Sequence, residues 1–110
     1  MPTGLLTGLN VVEYGQYISA PFCAKLLGDL GANVVKVEDP DGDYARKAGP
    51  FPGDMPDPEK SGLFLALNTS KKGVTLDLKT PQGKEQMLKL LEHADVFLEN
   101  NPPGALDALG

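Results

Sequence analysis

The strongest constraint on the fold is the order of apolar runs near the start of the chain. Residues 9–15, LNVVEYG, are apolar and β-branched and end at a glycine, which is typical of a buried strand. In the next segment, APFCAKLLGDLGA, apolar residues recur at intervals of three and four between Pro21 and Gly31, which predicts a helix. Residues 32–38, ANVVKVE, predict a second buried strand. This succession predicts a right-handed βαβ unit with a parallel sheet.

A second unit of strand, helix and strand follows later in the chain. GVTLDL alternates in polarity and predicts a strand, Thr80 and Pro81 are typical of an N-cap and a first helical position, and DVFLEN predicts a last strand. The run GLFLALN is too short for its pattern to decide between helix and strand. We therefore predict a Rossmann-like α/β fold with a parallel sheet and flanking helices. Its strands are expected near residues 9–14, 33–38, 74–78 and 95–99.

The first predicted helix carries one apolar stripe that we expect to face the core. The stripe consists of Cys23, Leu26, Leu27 and Leu30. Cys23 would then pack as a small core residue. Because it is the only cysteine, the chain can form neither an intramolecular disulfide nor a multi-cysteine metal site, and we expect no metal.

The segment 39–62 contains half of the ten prolines and several acidic residues, without any periodic pattern. It is predicted to be a long loop. Connections of more than about 12–15 residues without secondary structure are unusual in compact domains. Two interpretations stay open, a solvated surface loop and a lid over a ligand.

Composition and charge exclude several classes of partner. Fifteen acidic and ten basic residues give a net charge of −5, which argues against nucleic acid as a partner. The amino terminus lacks the pattern of a secretory signal, and no window approaches the roughly 20 apolar residues of a membrane span. We therefore expect a cytoplasmic protein with no membrane partner.

Candidate catalytic residues are few. A dinucleotide site would place Glu38 or Asp39 on a ribose hydroxyl, but the first turn contains Gly15 alone where several glycines would be needed. His93 lies near the end of a predicted helix, where it suits the helix dipole. Glu13 and Asp77 are predicted within strands, facing charged neighbours rather than a substrate. The sequence therefore predicts no catalytic residue in this chain.

Three stretches together resemble the amino-terminal part of the class III CoA-transferases, a family that includes formyl-CoA transferase, the carnitine enzymes and α-methylacyl-CoA racemase. The stretches are residues 10–46, residues 67–100 and the final PGALDALG. The resemblance implies a fold of two interlocked chains, thus a homodimer when full length, and an enzyme that acts on coenzyme A. It would move CoA between an acyl-CoA thioester and a carboxylic acid. Residues 1–110 would be the amino-terminal part of one such domain, truncated in the helix predicted from about Gly104.

The resemblance also implies which residues contact coenzyme A. They follow the first strand, surround the polar turn and follow the last strand: Ile18, Ser19, Leu67, Asn68, Thr69, Ser70, Lys71, Asn100, Asn101 and Pro102. In the turn, amide and hydroxyl groups can bond adenine or phosphate, and Lys71 and Lys72 can supply positive charge. The alternative is a solvated turn, for which these residue types are ordinary.

The implied activity leaves alternatives. The catalytic aspartate of the transferases would lie beyond residue 110, so this part alone is expected to be inactive. The chain would otherwise be the start of a racemase, or a noncatalytic nucleotide-binding or assembly module. The chain departs from the formyl-CoA transferase pattern at three positions. It has Asp39 and Ala108 where some transferases have arginines, and it has Ile18 in place of a glutamine.

Overall fold

The structure is a computed structural model that describes residues 4–106. Its strands and α-helices, in chain order, are β1 (Asn10–Tyr14), α1 (Ser19–Asp29), β2 (Asn33–Glu38), α2 (Gly62–Leu67), β3 (Lys71–Thr75), α3 (Pro81–Glu92) and β4 (Val96–Glu99). Two short 3₁₀ helices, Tyr44–Lys47 and Pro52–Asp54, lie in the connection between β2 and α2. Ala108 and most of the helix predicted from about Gly104 lie outside the described residues.

The four strands form one parallel sheet in the order β3-β2-β1-β4. The predicted βαβ unit with its parallel sheet is therefore confirmed. After β1 the chain builds β2 and β3 on one side, and it then returns to place β4 on the other side of β1. The carboxyl ends of β1 and β4 thus form a topological switch point, the place where open parallel sheets bind ligands.

The helices cover the two faces of the sheet, because side chains alternate between the faces along each strand. On the face of α1, the core consists of Val11, Ala24, Ala32 and Val34. On the face of α3, it consists of Val12, Tyr14, Val37, Leu76, Leu78 and Met87. Across residues 4–106, no helix combines the length and the apolarity needed to cross a membrane.

The apolar stripe predicted to bury α1 was wrong for three of its four residues. Cys23 is exposed, and Leu26 and Leu30 are each 46% exposed. Only Leu27 packs against the core. The buried side of α1 consists of small residues, Ala20, Pro21 and Ala24. Small side chains let the helix lie close to the sheet, and this turns the larger residues outward.

The third strand begins earlier than predicted, at Lys71 rather than at residue 74. Strand propensity favoured the β-branched part of the run, but pairing with β2 starts at the polar residues before it. Leu76 and Leu78 are buried after the strand ends. Asp77, predicted within the strand, lies in the following turn, where its carboxylate accepts a hydrogen bond from the amide of Lys79.

The undecided run at residues 62–68 is a helix, α2, which begins after Ser61. The Ser61 hydroxyl accepts a hydrogen bond from the amide of Phe64 at 3.3 Å, an N-cap contact. The preceding segment, predicted to be a loop, contains the two 3₁₀ helices. The first is capped by Asp43, whose side chain accepts from the amide of Ala45 at 2.8 Å.

The predicted start of α3 is confirmed at Thr80 and Pro81. The Thr80 hydroxyl accepts a hydrogen bond from the amide of Gly83 at 3.0 Å and donates to the carbonyl of Asp77 at 2.7 Å.

Thr80→Ala is expected to lower the free energy of unfolding by about 1 kcal/mol, because the helix loses this cap. Urea denaturation measures the change. Gln82→Ala, at an exposed position of the same turn, is the control, and an equal effect of both substitutions would contradict the prediction.

Candidate functional site

The residue that organises the switch point is Asn100, which directly follows β4. Its Oδ1 accepts a hydrogen bond from the amide of Gln16 at 2.9 Å. Its Nδ2 donates to the carbonyl of Gln16 and to the hydroxyl of Ser19, both at 2.9 Å. One side chain therefore joins the segment after β4 to the segment after β1. We call residues 15–19 and 100–102 the switch-point crevice.

Asn101 adds a second link across the crevice. Its Nδ2 donates to the carbonyl of Tyr14, the last residue of β1, at 2.9 Å, and also to the carboxylate of Glu99 at 3.2 Å. Ile18 and Pro102 are exposed at the rim. No side chain caps α1, so Ser19 and Ala20 present backbone N–H groups that have no partner within the helix.

Gly15 is required by the close approach of the two segments. A Cβ atom at this position would lie 2.5 Å from the Cβ of Ala20 and 2.7 Å from Oδ1 of Asn100. Tyr17, two residues on, has a φ of 71°, in the left-handed region that costs most residues about 1–2 kcal/mol. Such strained backbone is often found at functional sites.

The polar turn between α2 and β3 lies along the side of α1, not in the crevice. Ser70 donates a hydrogen bond to Asp29, the last residue of α1, at 3.1 Å. Asn68 donates to the carbonyl of Phe64 at 2.8 Å and accepts from Lys71 at 2.6 Å. Leu67 is half-buried and Thr69 is exposed. Of the sequence-predicted residues, the structure thus joins Ser19, Asn100 and Asn101, with Ile18 and Pro102 beside them, and places the turn apart.

Lys71 connects the turn to the first turn of α1. Its ammonium group donates to Asn68 at 2.6 Å, to Glu13 at 2.7 Å and to the carbonyl of Pro21 at 3.0 Å. Burial lowers the pKa of Lys71, and the bond to Glu13 offsets part of that effect. The positive charge of Lys71, which was predicted to be available to a ligand at the turn, is therefore held inside the protein. The side chain of Lys72 is exposed.

Beneath α1, Glu13 and Lys71 belong to a larger group of buried charges that the sequence did not reveal. Lys36 donates to Glu13 at 2.8 Å and to the carbonyl of Gly15 at 3.2 Å. Its ammonium nitrogen also lies 2.8 Å from Oδ2 of Asp43, an ion pair without hydrogen-bond alignment. Glu13, Lys36 and Asp43 are at most 2% exposed. We call Glu13, Lys36, Asp43 and Lys71 the buried charge cluster.

A signal for part of this cluster exists in the sequence. Residues 10–13 are NVVE and residues 33–36 are NVVK, so an in-register parallel pairing sets Glu13 beside Lys36. The expectation that Glu13 faces a charged neighbour is thereby confirmed. Asp43 comes from the connection after β2 and Lys71 from the start of β3, and no local pattern marks them.

A second ion pair fixes the loop after β2. The guanidinium of Arg46 bonds both carboxylate oxygens of Glu38, at 2.7 and 2.8 Å, and lies 3.7 Å from the ring centroid of Phe64. Burial opposes ionisation of Glu38, but these bonds outweigh it and hold its pKa below the usual value. This part of the loop is therefore anchored to the sheet and to α2.

Asp39 and His93, the other two candidate groups from the sequence, lie at opposite edges of the sheet. Asp39 accepts a hydrogen bond from the hydroxyl of Tyr14 at 2.8 Å. Burial and this contact raise the pKa of Tyr14. His93 directly follows α3 and lies near the amino end of β1, since Asp95 donates its amide to the carbonyl of Asn10. The histidine therefore lies at the edge of the sheet opposite the crevice.

The parallel sheet and its crevice define a Rossmann-like α/β protein, and comparison with known proteins gives the family. The sequence profile described as CoA-transferase family III matches residues 6–110. The chain therefore belongs to CoA-transferase family III. It spans about a quarter of the length of the curated relatives it matches.

Two relatives and one solved structure illustrate the similarity. The chain is 40% identical to the succinyl-CoA:mesaconate CoA-transferase of Haloarcula hispanica, over 94% of this chain and 26% of that protein. It is also 40% identical to the formyl-CoA:oxalate CoA-transferase of Bradyrhizobium diazoefficiens, over 98% of this chain and 25% of that protein. A crystal structure of a CaiB/BaiF family protein from Brucella suis has a TM-score of 0.87 at 36% identity, over 98% of this chain and 29% of that chain. Equal identity to enzymes with different acyl groups gives the family but not the substrate.

Proposed function

We propose that this chain is the coenzyme A-binding part of a class III CoA-transferase, which moves CoA between an acyl-CoA thioester and a carboxylic acid. The observation that carries the proposal is the crevice joined by Asn100 at the switch point of a parallel sheet. Ligands of open parallel sheets bind outside the carboxyl ends of the strands at such a point. Family membership supports coenzyme A as the ligand.

The residues at the crevice suit an anionic nucleotide. Backbone N–H groups at the start of α1 and the hydroxyl of Ser19 can bond phosphate oxygens. Ile18 and Pro102 offer apolar surface to a base at the rim. Asn68, Thr69 and Ser70, with Lys72 in addition, would bind a more distant part of the same ligand along the side of α1. Lys71 would orient Asn68 rather than contact the ligand, because the N–H donors of Lys71 already bond other groups.

Coenzyme A bound in this way serves as a handle that positions the thioester. Binding energy from a remote part of a substrate contributes to rate by orienting the reacting end. We propose that the nucleophile is an aspartate encoded after residue 110, as the resemblance implies. A cytoplasmic homodimer that takes acyl-CoA and carboxylic acid substrates completes the proposal.

Titration by calorimetry tests the ligand. CoA and acetyl-CoA are expected to release heat with a saturable isotherm, whereas NAD is expected to give none, because the crevice lacks the glycines of a dinucleotide turn. Asn100→Ala is expected to weaken CoA binding about tenfold, since losing its hydrogen bonds frees the loop after β1.

Asn33→Ala is the matched control for that substitution. Asn33 is exposed at the opposite edge of the sheet, where its side chain donates to Asn10 at 3.2 Å. Its replacement is expected to leave CoA affinity unchanged. Heat with NAD and none with CoA would instead favour a noncatalytic nucleotide-binding module.

A further inference from the structure

The buried charge cluster occupies the middle of an otherwise apolar layer. It lies on the face of the sheet that α1 covers, next to Val11 and Val34. Two carboxylates, Glu13 and Asp43, face two ammonium groups, Lys36 and Lys71, so that the formal charges balance. The side chains of all four are at most 3% exposed.

Stability alone does not account for such a cluster. Removing charges from water is costly, and well-packed apolar residues in place of a buried ion pair are often as stabilising or more so. Buried polar groups can instead specify one geometry of the chain. The role of the cluster is therefore best inferred from the contacts that its four residues make with other parts of the chain.

Asp43 holds the strained part of the loop after β1. Its Oδ1 accepts a hydrogen bond from the amide of Tyr17 at 2.9 Å, the residue with a φ of 71°. The same oxygen caps the first 3₁₀ helix. Tyr17 immediately precedes Ile18 and Ser19 at the rim of the crevice. A bond to a buried carboxylate therefore fixes the backbone just before two proposed ligand contacts.

The two lysines hold the loop on both sides of the same contacts. Lys36 donates to the carbonyl of Gly15, before Ile18, at 3.2 Å. Lys71 donates to the carbonyl of Pro21, after Ser19, at 3.0 Å, and to Asn68 in the polar turn at 2.6 Å. The cluster thus touches every segment that contributes to the proposed site except the one that follows β4.

We propose that Asp43 and Lys71 are positioning residues: through the buried charge cluster they hold the loop at residues 15–19 and the turn at residues 67–70 in the arrangement that binds coenzyme A. The inference rests on the proposed function. When only a fraction of the molecules has the loop conformation that binds CoA, the apparent affinity for CoA is reduced by that fraction. A loop that is already ordered before binding avoids this loss. Releasing Tyr17 or Asn68 lowers the competent fraction, so affinity falls although neither Asp43 nor Lys71 touches the ligand.

The test measures CoA affinity and loop order separately, in the polypeptide as its gene encodes it. Asp43→Ala and Lys71→Met are each expected to raise the Kd for CoA at least about tenfold, measured at a temperature where circular dichroism shows the variant folded. Asp43→Ala is also expected to speed hydrogen exchange of the Tyr17 amide without CoA. Asp43→Asn, which keeps an acceptor for that amide, is expected to bind CoA more tightly than Asp43→Ala.

The matched control is Lys89→Met, which removes a lysine from an exposed ion pair on α3. It is expected to leave the Kd unchanged. If Asp43→Ala does not fold, Lys71→Met decides the matter. Unchanged CoA affinity in whichever of Asp43→Ala and Lys71→Met folds overturns this inference alone, whereas no CoA binding by the unaltered protein overturns the proposed function and this inference with it.

Discussion

Glu13→Ala is expected to lower the free energy of unfolding by about 3–5 kcal/mol, the typical effect of breaking a buried ion pair by removing one partner. The carboxylate of Glu13 bonds Lys36 at 2.8 Å and Lys71 at 2.7 Å, and its side chain is fully buried. Its removal leaves two buried ammonium groups facing only Asp43. Folded proteins are stable by about 5–15 kcal/mol, so this loss is large. Urea denaturation followed by circular dichroism measures it.

Glu85→Ala is the control for that substitution. Glu85 and Lys89 form an ion pair at 3.6 Å on α3, and both side chains are more than two thirds exposed. Exposed pairs of this kind contribute about 0–1 kcal/mol. If Glu13→Ala changed the unfolding free energy no more than Glu85→Ala, the buried charge cluster would not be held together as the structure shows.

The sequence predicted β1, β2 and α3 well because each has a strong local signal. Apolar residues dominate β1 and β2 and are interrupted only by Glu13 and Lys36, as in strands covered on both faces. Thr80 and Pro81 mark the start of α3 by the chemistry of helix ends. In each case the residues that decide the structure are neighbours in the chain.

Two features could not be predicted because distant contacts decide them. The edge strand β3 begins at Lys71, whose side chain reaches Glu13, and a local pattern does not favour lysine and glycine as strand residues. The inward side of α1 is set by how closely the helix can approach its neighbours. A Cβ at Gly28, for example, would lie 3.1 Å from the carbonyl oxygen of Ser70.

The candidate site was predicted by resemblance, and its internal geometry was not. Ser19, Asn100 and Asn101 were named from the family pattern, but nothing local indicates that Asn100 bonds Gln16, a residue 84 positions away. Neither Asp43 nor Lys36 was among the residues predicted to contact coenzyme A. Their role depends on the sheet bringing loops together, and that follows only once the strand order is known.

The 110-residue chain by itself is expected to catalyse neither CoA transfer nor racemisation. Acyl transfer needs a nucleophile held near the thioester carbonyl and donors directed at the developing oxyanion. Among the residues that the structure describes, the carboxylates near the crevice already have hydrogen-bond or ion-pair partners: Glu13 bonds two lysines, Asp39 accepts from Tyr14, Asp43 accepts from two amides, and Glu99 accepts from Asn101. The chain would bind the nucleotide handle and give occupancy without turnover.

The test for catalysis is to incubate the 110 residues with a labelled acyl-CoA and a panel of carboxylic acids. Formation of acceptor thioesters reports CoA transfer, and exchange of the α-proton reports racemisation. The polypeptide as its gene encodes it is the positive control, if translation continues past residue 110. Formation of either product by the 110 residues, abolished by Glu13→Ala or Asp39→Ala in a folded variant, would place the chemistry inside this chain. Asp39→Ala is the more decisive of the two. Among the described residues the Asp39 carboxylate accepts a hydrogen bond only from the hydroxyl of Tyr14, whereas the loss of Glu13 also disrupts the buried charge cluster.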